Sequence, residues 1–163
     1  KIIRRQHPNA KFILPLAHNI NPAEISTFIP DDIDIIEHHH YNALQNTTLA
    51  ITSSGTMTLE LGLLLVPHII IYKSEPLNYL IFKHLIGIKQ IGLSNIVAET
   101  TISPELIQNQ ATAEKIAATA LDFLRDKEFY IKRKQALQAV RKRFQSPHLS
   151  QSTSKIIETL LTT

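Results

Sequence analysis

Ser53, Ser54, Gly55 and Thr56 stand where a β-branched run, Thr48-Leu49-Ala50-Ile51-Thr52, gives way to a helical pattern carrying Leu59, Leu61, Leu63, Leu64 and Leu65. Hydroxyls and a glycine at a helix start supply backbone and side-chain donors and allow close approach to the backbone. The helix dipole favours an anion there. That is the chemistry of a phosphate cradle. Glu60 follows Thr56 by four residues, so the two project from one helix face a turn apart. A carboxylate in that place can accept paired hydrogen bonds from a sugar diol. Donors at the tip with an acceptor one turn behind suit the phosphates and ribose of a nucleotide. The same residues also fit a plainer reading, in which Ser54 caps the helix and Glu60 is a solvated acid. A capping box would place the acid three residues after Ser54, where Met57 stands.

The elements that must position this turn follow from periodicity. Pro67 halts the leucine helix, and His68-Ile69-Ile70-Ile71-Tyr72 is a second buried-strand run, which makes one βαβ unit. Upstream, Lys1 to Gln6 reads as the last turns of a helix stopped before Pro8, with no start signal, so an earlier strand and loop are expected ahead of Lys1. A strand over 11–16 is followed by a helix capped by Asn21 with Pro22 at its first position and running to Ile29. The strand Ile33–Ile36 and a short helix from His39 to Asn46 lead back to Thr48. Strands alternating with short helices predict an α/β fold with a doubly wound parallel sheet. In such sheets ligands sit beyond the carboxyl ends of the strands, where the Ser/Gly turn lies. Residues 1–111 are read as this Rossmann-like domain, and 112–163 as C-terminal helices packing on it or crossing to a partner. Those helices are expected near 112–125, 126–145 and 149–161.

Other stretches flank the same crevice. His38, His39, His40 and Tyr41 follow the strand ending at Ile36 and offer ring and backbone surface to a base or sugar. Sequence neighbours point in different directions and do not share one ion easily, so no metal is expected. The helix predicted from Ser74-Glu75-Pro76 is apolar nearly all round, which implies burial, exchange into a partner, or contact with lipid. Residues 95–100 are read as a loop with Asn95 its functional side chain, and Pro104 as the opening of a short helix to Gln108. The predicted helix 126–145 places Phe129, Leu137, Val140 and Phe144 on roughly one face and its Lys and Arg residues elsewhere. A solvated face is the plain reading, and attraction to anionic headgroups the functional one. Nucleic acid fits less well, because no aromatic stacking platform accompanies the charge.

Composition sets bounds on these readings. A chain of 163 residues with 44% apolar and 19% charged residues suits one compact domain, and no apolar run is long enough to span a bilayer. The absence of cysteine removes disulfides and thiol chemistry, in keeping with a cytoplasmic location. The net charge of +3 is concentrated around residues 125–143.

Taken together, Ser54-Gly55-Thr56-Met57-Thr58-Leu59-Glu60, Pro67-His68-Ile69-Ile70-Ile71-Tyr72-Lys73, the apolar helix from Pro76 and the Leu93-Ser94-Asn95-Ile96-Val97-Ala98 stretch resemble the lipid-A-disaccharide synthases, GT-B-fold glycosyltransferases. The resemblance covers nearly the whole chain as the C-terminal, nucleotide-sugar-binding half of that fold. It implies that Ser53, Ser54, Gly55 and Thr56 hold the diphosphate of a UDP-sugar and Glu60 its ribose. It places His39, His40 and Tyr41 near the uracil, and Asn95 and Gln108 towards the sugar or acceptor. The implied reaction is inverting transfer of 2,3-diacylglucosamine from UDP to the 6-hydroxyl of 2,3-diacylglucosamine 1-phosphate (lipid X), at the inner face of a bacterial inner membrane. No cofactor is implied, a domain-exchanged homodimer is possible, and the catalytic base is expected on the other half of the enzyme. The family loop usually carries Gly-Arg where this chain has Glu99-Thr100, so a positive group is missing there, for which Lys73 or Lys83 substitutes only in part. A looser likeness extends to other UDP-GlcNAc enzymes of the same fold, the peptidoglycan transferase and the 2-epimerase. A non-catalytic, helix-rich interaction domain is the alternative from a different class.

Overall fold

In a computed structural model of the chain, residues 1–17, 19–37, 40–74 and 90–145 are described. The helices expected over 74–89 and 149–161 lie essentially outside them. Five short strands appear in chain order: β1 (Phe12–Pro15), β2 (Ile33–Ile36), β3 (Ala50–Ser53), β4 (His68–Tyr72) and β5 (Glu105–Ile107). β1 pairs with β2 in one sheet, while β3, β4 and β5 form a second sheet in that order. Every pairing is parallel. Helices precede or join them: α1 (Ile2–Gln6), α2 (Pro22–Ile25), α3 (His40–Gln45), α4 (Thr56–Leu63), α5 (Leu93–Ala98), α6 (Ala113–Arg125) and α7 (Lys127–Phe144). The fold is the expected α/β arrangement of parallel strands followed by C-terminal helices.

Local chemistry accounts for most boundaries. Asn21 accepts from the Ala23 N–H and Pro22 sits at the first helical position of α2. That helix passes into a 3₁₀ turn at Ser26–Phe28 instead of continuing as α-helix to Ile29. Thr112 caps α6 through the Lys115 N–H, and Asp126 caps α7 through the Phe129 N–H. α4 ends before the proline expected to stop it. Leu65 adopts a left-handed φ of 58°, the Val66 N–H reaches the Leu61 carbonyl and the Leu65 N–H reaches that of Gly62. This is a Schellman closure made without glycine.

The three-stranded sheet is covered on both faces. On one face Ile69, Leu106, Ala120 and Phe123 form a cluster joined by Ile3 of α1, Leu49, Ile71 and Phe129. Phe123 and Phe129 meet edge to face at 4.9 Å. On the other face α4 packs with Leu44, Leu61, Val66 and Ala50, and then with α5 and α7 around Ile102, Leu137 and Val140. Gly62 permits that last approach: a Cβ there would stand 3.2 Å from Val140 Cγ1. The apolar residues expected to share one face of α7 therefore divide. Phe129 joins the sheet cluster and Leu137 and Val140 join α4 and α5. Phe144, beyond both clusters, is 46% exposed. Among the described residues no helix is long and apolar enough to cross a membrane.

Two expectations are corrected. Residues 93–98 are helix α5, not a loop from 95 onward, and Pro104 opens no helix, because Glu105–Ile107 is strand β5 beside β4. The α5 helix ends at Glu99, whose φ of 56° is left-handed. A side chain there costs about 1 kcal/mol that glycine avoids. The Glu99–Arg143 pair at 2.9 Å is exposed at both ends and offsets little of this. Glu99→Gly should accordingly raise the unfolding free energy by about 0.5–1 kcal/mol, seen as a higher urea midpoint at unchanged slope.

Candidate functional site

The site is built on the βαβ unit β3–α4–β4. β3 delivers Ser53 to the carboxyl edge of the sheet, and the chain turns there into α4. Gly55 makes the turn with φ 142° and ψ −163°, a region essentially reserved for glycine. It occupies the N-cap position of α4 and no side chain caps the helix. Ser54 is therefore not the cap that the plainer reading required. The Thr58 hydroxyl bonds back to the Gly55 carbonyl at 2.8 Å and holds the turn from beneath. Around Gly55 the space is open, with nothing within 4 Å of where a Cβ would stand. Gly55 and Thr56 are exposed, and Ser54 is half-buried. An uncapped helix start facing open space is a set of N–H donors with the positive end of the dipole behind it.

Glu60 lies one turn along α4, half-buried. The Tyr41 phenol, from α3, faces its carboxylate. That negative charge is the main reason the Tyr41 phenol is pushed above its usual range, with hydrogen bonding to it next. The structure thus joins Tyr41 and Glu60, two residues that the sequence placed on different elements. His39 lies outside the described residues, and of His40 only its place at the start of α3 is described. Lys73 is exposed just past β4, at the same edge as Ser53.

Gln108 follows β5 at that edge with a left-handed φ of 52°. Its amide oxygen accepts from the Ser74 N–H at 3.1 Å and its amide nitrogen donates to the Ser74 hydroxyl at 3.2 Å. One acceptor and one donor position of that amide hold the chain that leaves β4.

Asn95 sits elsewhere. Its side chain is fully buried, and every hydrogen-bonding position is used within the fold. Oδ1 accepts from the Ile102 and Ser103 N–H groups at 2.9 Å each, while Nδ2 donates to the Ser103 carbonyl and the Glu105 carboxylate at 2.8 Å each. In this conformation it has no atom left for a sugar or acceptor, so the expected direct contact is not made. Asn95 positions the start of β5 instead.

Sequence reasoning passed over Glu105, which accepts from the Ile91 and Gly92 N–H groups at 3.0–3.1 Å. An acid heading a short apolar stretch was the available signal. His68 was also missed. Its Nδ1 lies 2.9 Å from the Val66 carbonyl, which can only accept, so Nδ1 carries the proton. Nε2, with its single lone pair an acceptor, then faces the Ser94 and Ser103 hydroxyls at 2.9 and 3.0 Å. Burial pushes the imidazole below its ordinary value. The neutral ring is therefore the folded form, and the unfolded chain takes up the proton first as pH falls below about 6.5. The stability His68 contributes is complete above that pH and is lost on moving down towards the folded value. Urea midpoints measured from pH 8 to 5 should fall on the acid side, with a shallower fall in His68→Gln.

Comparison with known proteins agrees along the chain. A family model described as Lipid-A-disaccharide synthetase matches residues 1–159. The chain is 35% identical over 162 residues to a protein named lipid-A-disaccharide synthase from Geobacter sulfurreducens, covering 98% of this chain and 42% of that protein. It is 37% identical to the protein of that name from Geobacter metallireducens, covering 99% of this chain and 43% of that one. For the one from Coxiella burnetii the identity is 34%, with the same coverage. The chain thus spans less than half the length of these curated relatives.

Proposed function

Because the chain belongs to the lipid-A-disaccharide synthetase family, we propose that it is the nucleotide-sugar-binding half of a glycosyltransferase that acts in lipid A assembly. The observation that carries this reading is the open, uncapped start of α4 at Gly55, with the Tyr41–Glu60 pair a turn behind it. The diphosphate of a UDP-sugar docks on the N–H groups at Gly55 and Thr56 and the hydroxyls of Ser53 and Ser54. Glu60 accepts from the ribose diol.

The reaction is displacement at the anomeric carbon of UDP-2,3-diacylglucosamine by the 6-hydroxyl of 2,3-diacylglucosamine 1-phosphate. The new C–O bond forms on the face opposite the leaving group, the hydroxyl proton passes to a base, and the bond to the diphosphate breaks with release of UDP. Charge grows on the departing diphosphate, and donors already aimed at it lower the barrier without reorganising. A base from outside these residues completes the reaction. The outer face of α7, with Lys127, Lys134, Arg141 and Lys142 around exposed Ile131, suits a headgroup layer of anionic lipid, where acylated substrates reside.

UDP titrated into the chain should move the amide resonances of Gly55 and Thr56 at millimolar concentration, and Gly55→Ala should abolish the movement. Unmoved resonances would reject the docking site. An enzyme containing this half that used a non-acylated UDP-sugar equally well would reject the lipid assignment.

A further inference from the structure

A helix without a side-chain cap tends to fray, because few bonds hold its first turn and its first N–H groups are unsatisfied. α4 begins after a glycine, the residue with most backbone freedom to lose, and no side chain caps it. What holds this turn comes from within the helix. The Gly55 carbonyl accepts twice from Thr58, from its N–H at 3.1 Å and from its hydroxyl at 2.8 Å. An ordinary capping side chain would grip the turn by accepting from the N–H of Met57 or Thr58. Thr58 grips it by the carbonyl, which leaves the N–H groups of Thr56 and Met57 for another acceptor. The peptide plane converts that grip into aim. The Gly55–Thr56 bond is trans, so the Gly55 carbonyl and the Thr56 N–H point in opposite directions. Thr58 is completely buried. Drawing the carbonyl inward to it turns the Thr56 N–H away from the interior, beside a glycine with open space around it.

The Thr58 hydroxyl is itself fixed in place. Its one proton goes to the Gly55 carbonyl, so it stands as acceptor towards the Ser94 N–H, 3.4 Å away in the first turn of α5. Ser94 is equally buried, and its own hydroxyl faces Nε2 of His68 in β4 at 2.9 Å. One hydroxyl therefore ties the starts of α4 and α5 together, and Ser94 anchors the pair to the sheet. From this arrangement we infer that Thr58 is a positioning residue for the nucleotide diphosphate, acting through the Gly55 carbonyl to hold the Thr56 N–H outward. The inference rests on the docking of UDP at this turn. Thr58 touches no ligand. It keeps a donor oriented before the anion arrives, so that binding requires no reordering of the turn. Valine at this position keeps the shape of the side chain and loses the hydroxyl, whereas serine keeps the hydroxyl and loses only a methyl group.

The test is titration of the native chain, Thr58→Val and Thr58→Ser with UDP and with uridine, followed by amide resonances. The preference for UDP over uridine should fall about tenfold in Thr58→Val, as for one misaimed hydrogen bond to a charged group. It should return in Thr58→Ser. Equal weakening of both ligands in Thr58→Val would make Thr58 a general prop of the fold, and unchanged UDP affinity would make its hydroxyl idle. Either result overturns the inference. A second measurement needs no variant. In the native chain without ligand, the Thr56 amide should exchange rapidly with solvent and the Thr58 amide at least tenfold more slowly. Added UDP should slow Thr56 markedly. A Thr56 amide already protected without ligand overturns the inference, whether or not Thr58→Val folds. If UDP moves no resonance of the native chain, the docking itself fails, and the role of Thr58 falls with it.

Discussion

Asn95→Ala should remove about 3–5 kcal/mol of folding stability, enough to leave a domain of this size largely unfolded at 37 °C. The side chain serves four partners in a dry interior, and truncation orphans the Ile102 and Ser103 N–H groups, the Ser103 carbonyl and one face of the Glu105 carboxylate. Each stranded buried group costs about 1–3 kcal/mol, discounted for relaxation of neighbours that share the space. Asn95→Asp keeps the acceptor for the two N–H groups but sets a second carboxylate 2.8 Å from the first, and should be comparably damaging. Urea unfolding followed by circular dichroism measures both. A loss below 1 kcal/mol for Asn95→Ala would show that the network does not hold β5 in place and would return Asn95 to the list of ligand contacts.

Glu60→Ala should weaken UDP binding by roughly ten- to a hundredfold, corresponding to about 1.5–3 kcal/mol for hydrogen bonds to a charged acceptor. The loss belongs to the ribose, so it should vanish when the ligand is 2′,3′-dideoxyuridine diphosphate, which lacks the diol. That cross between protein and ligand changes isolates the contact from any general damage to α4. Tyr41→Phe should produce a smaller loss by the same route, because the phenol is the group facing the carboxylate. Calorimetric titration of the three proteins with both nucleotides reads all of this. Equal losses for the two nucleotides would dissociate Glu60 from the sugar.

The parts legible in the sequence are those where local chemistry and long-range packing agree. The Ser53–Thr56 turn, the β4 run of isoleucines and the Thr112 and Asp126 caps carry their own instructions within a few residues. The stretch 93–108 misleads because its local and distant signals diverge. Pro104 followed by Glu105 looks like a helix start with a first-turn acid, and three residues are too few to show alternation. What makes them a strand is the ladder offered by β4, 33 or more positions away. Asn95 misled for a related reason: a polar residue amid apolar ones reads as a ligand contact until its partners at 102, 103 and 105 are seen. The Tyr41–Glu60 pair joins two helices separated by a strand, so spacing along the chain gives no hint of it.

One short strand has a consequence for engineering. Glu105 at the start of β5 grips the backbone at Ile91 and Gly92, and Gln108 just past its end grips Ser74. A three-residue strand therefore clasps the chain at Ser74 and again at Ile91 and Gly92. Changes to the Glu105 or Gln108 side chains should therefore release Ile91 and Gly92, or Ser74, while the ladder that β5 shares with β4 keeps its register.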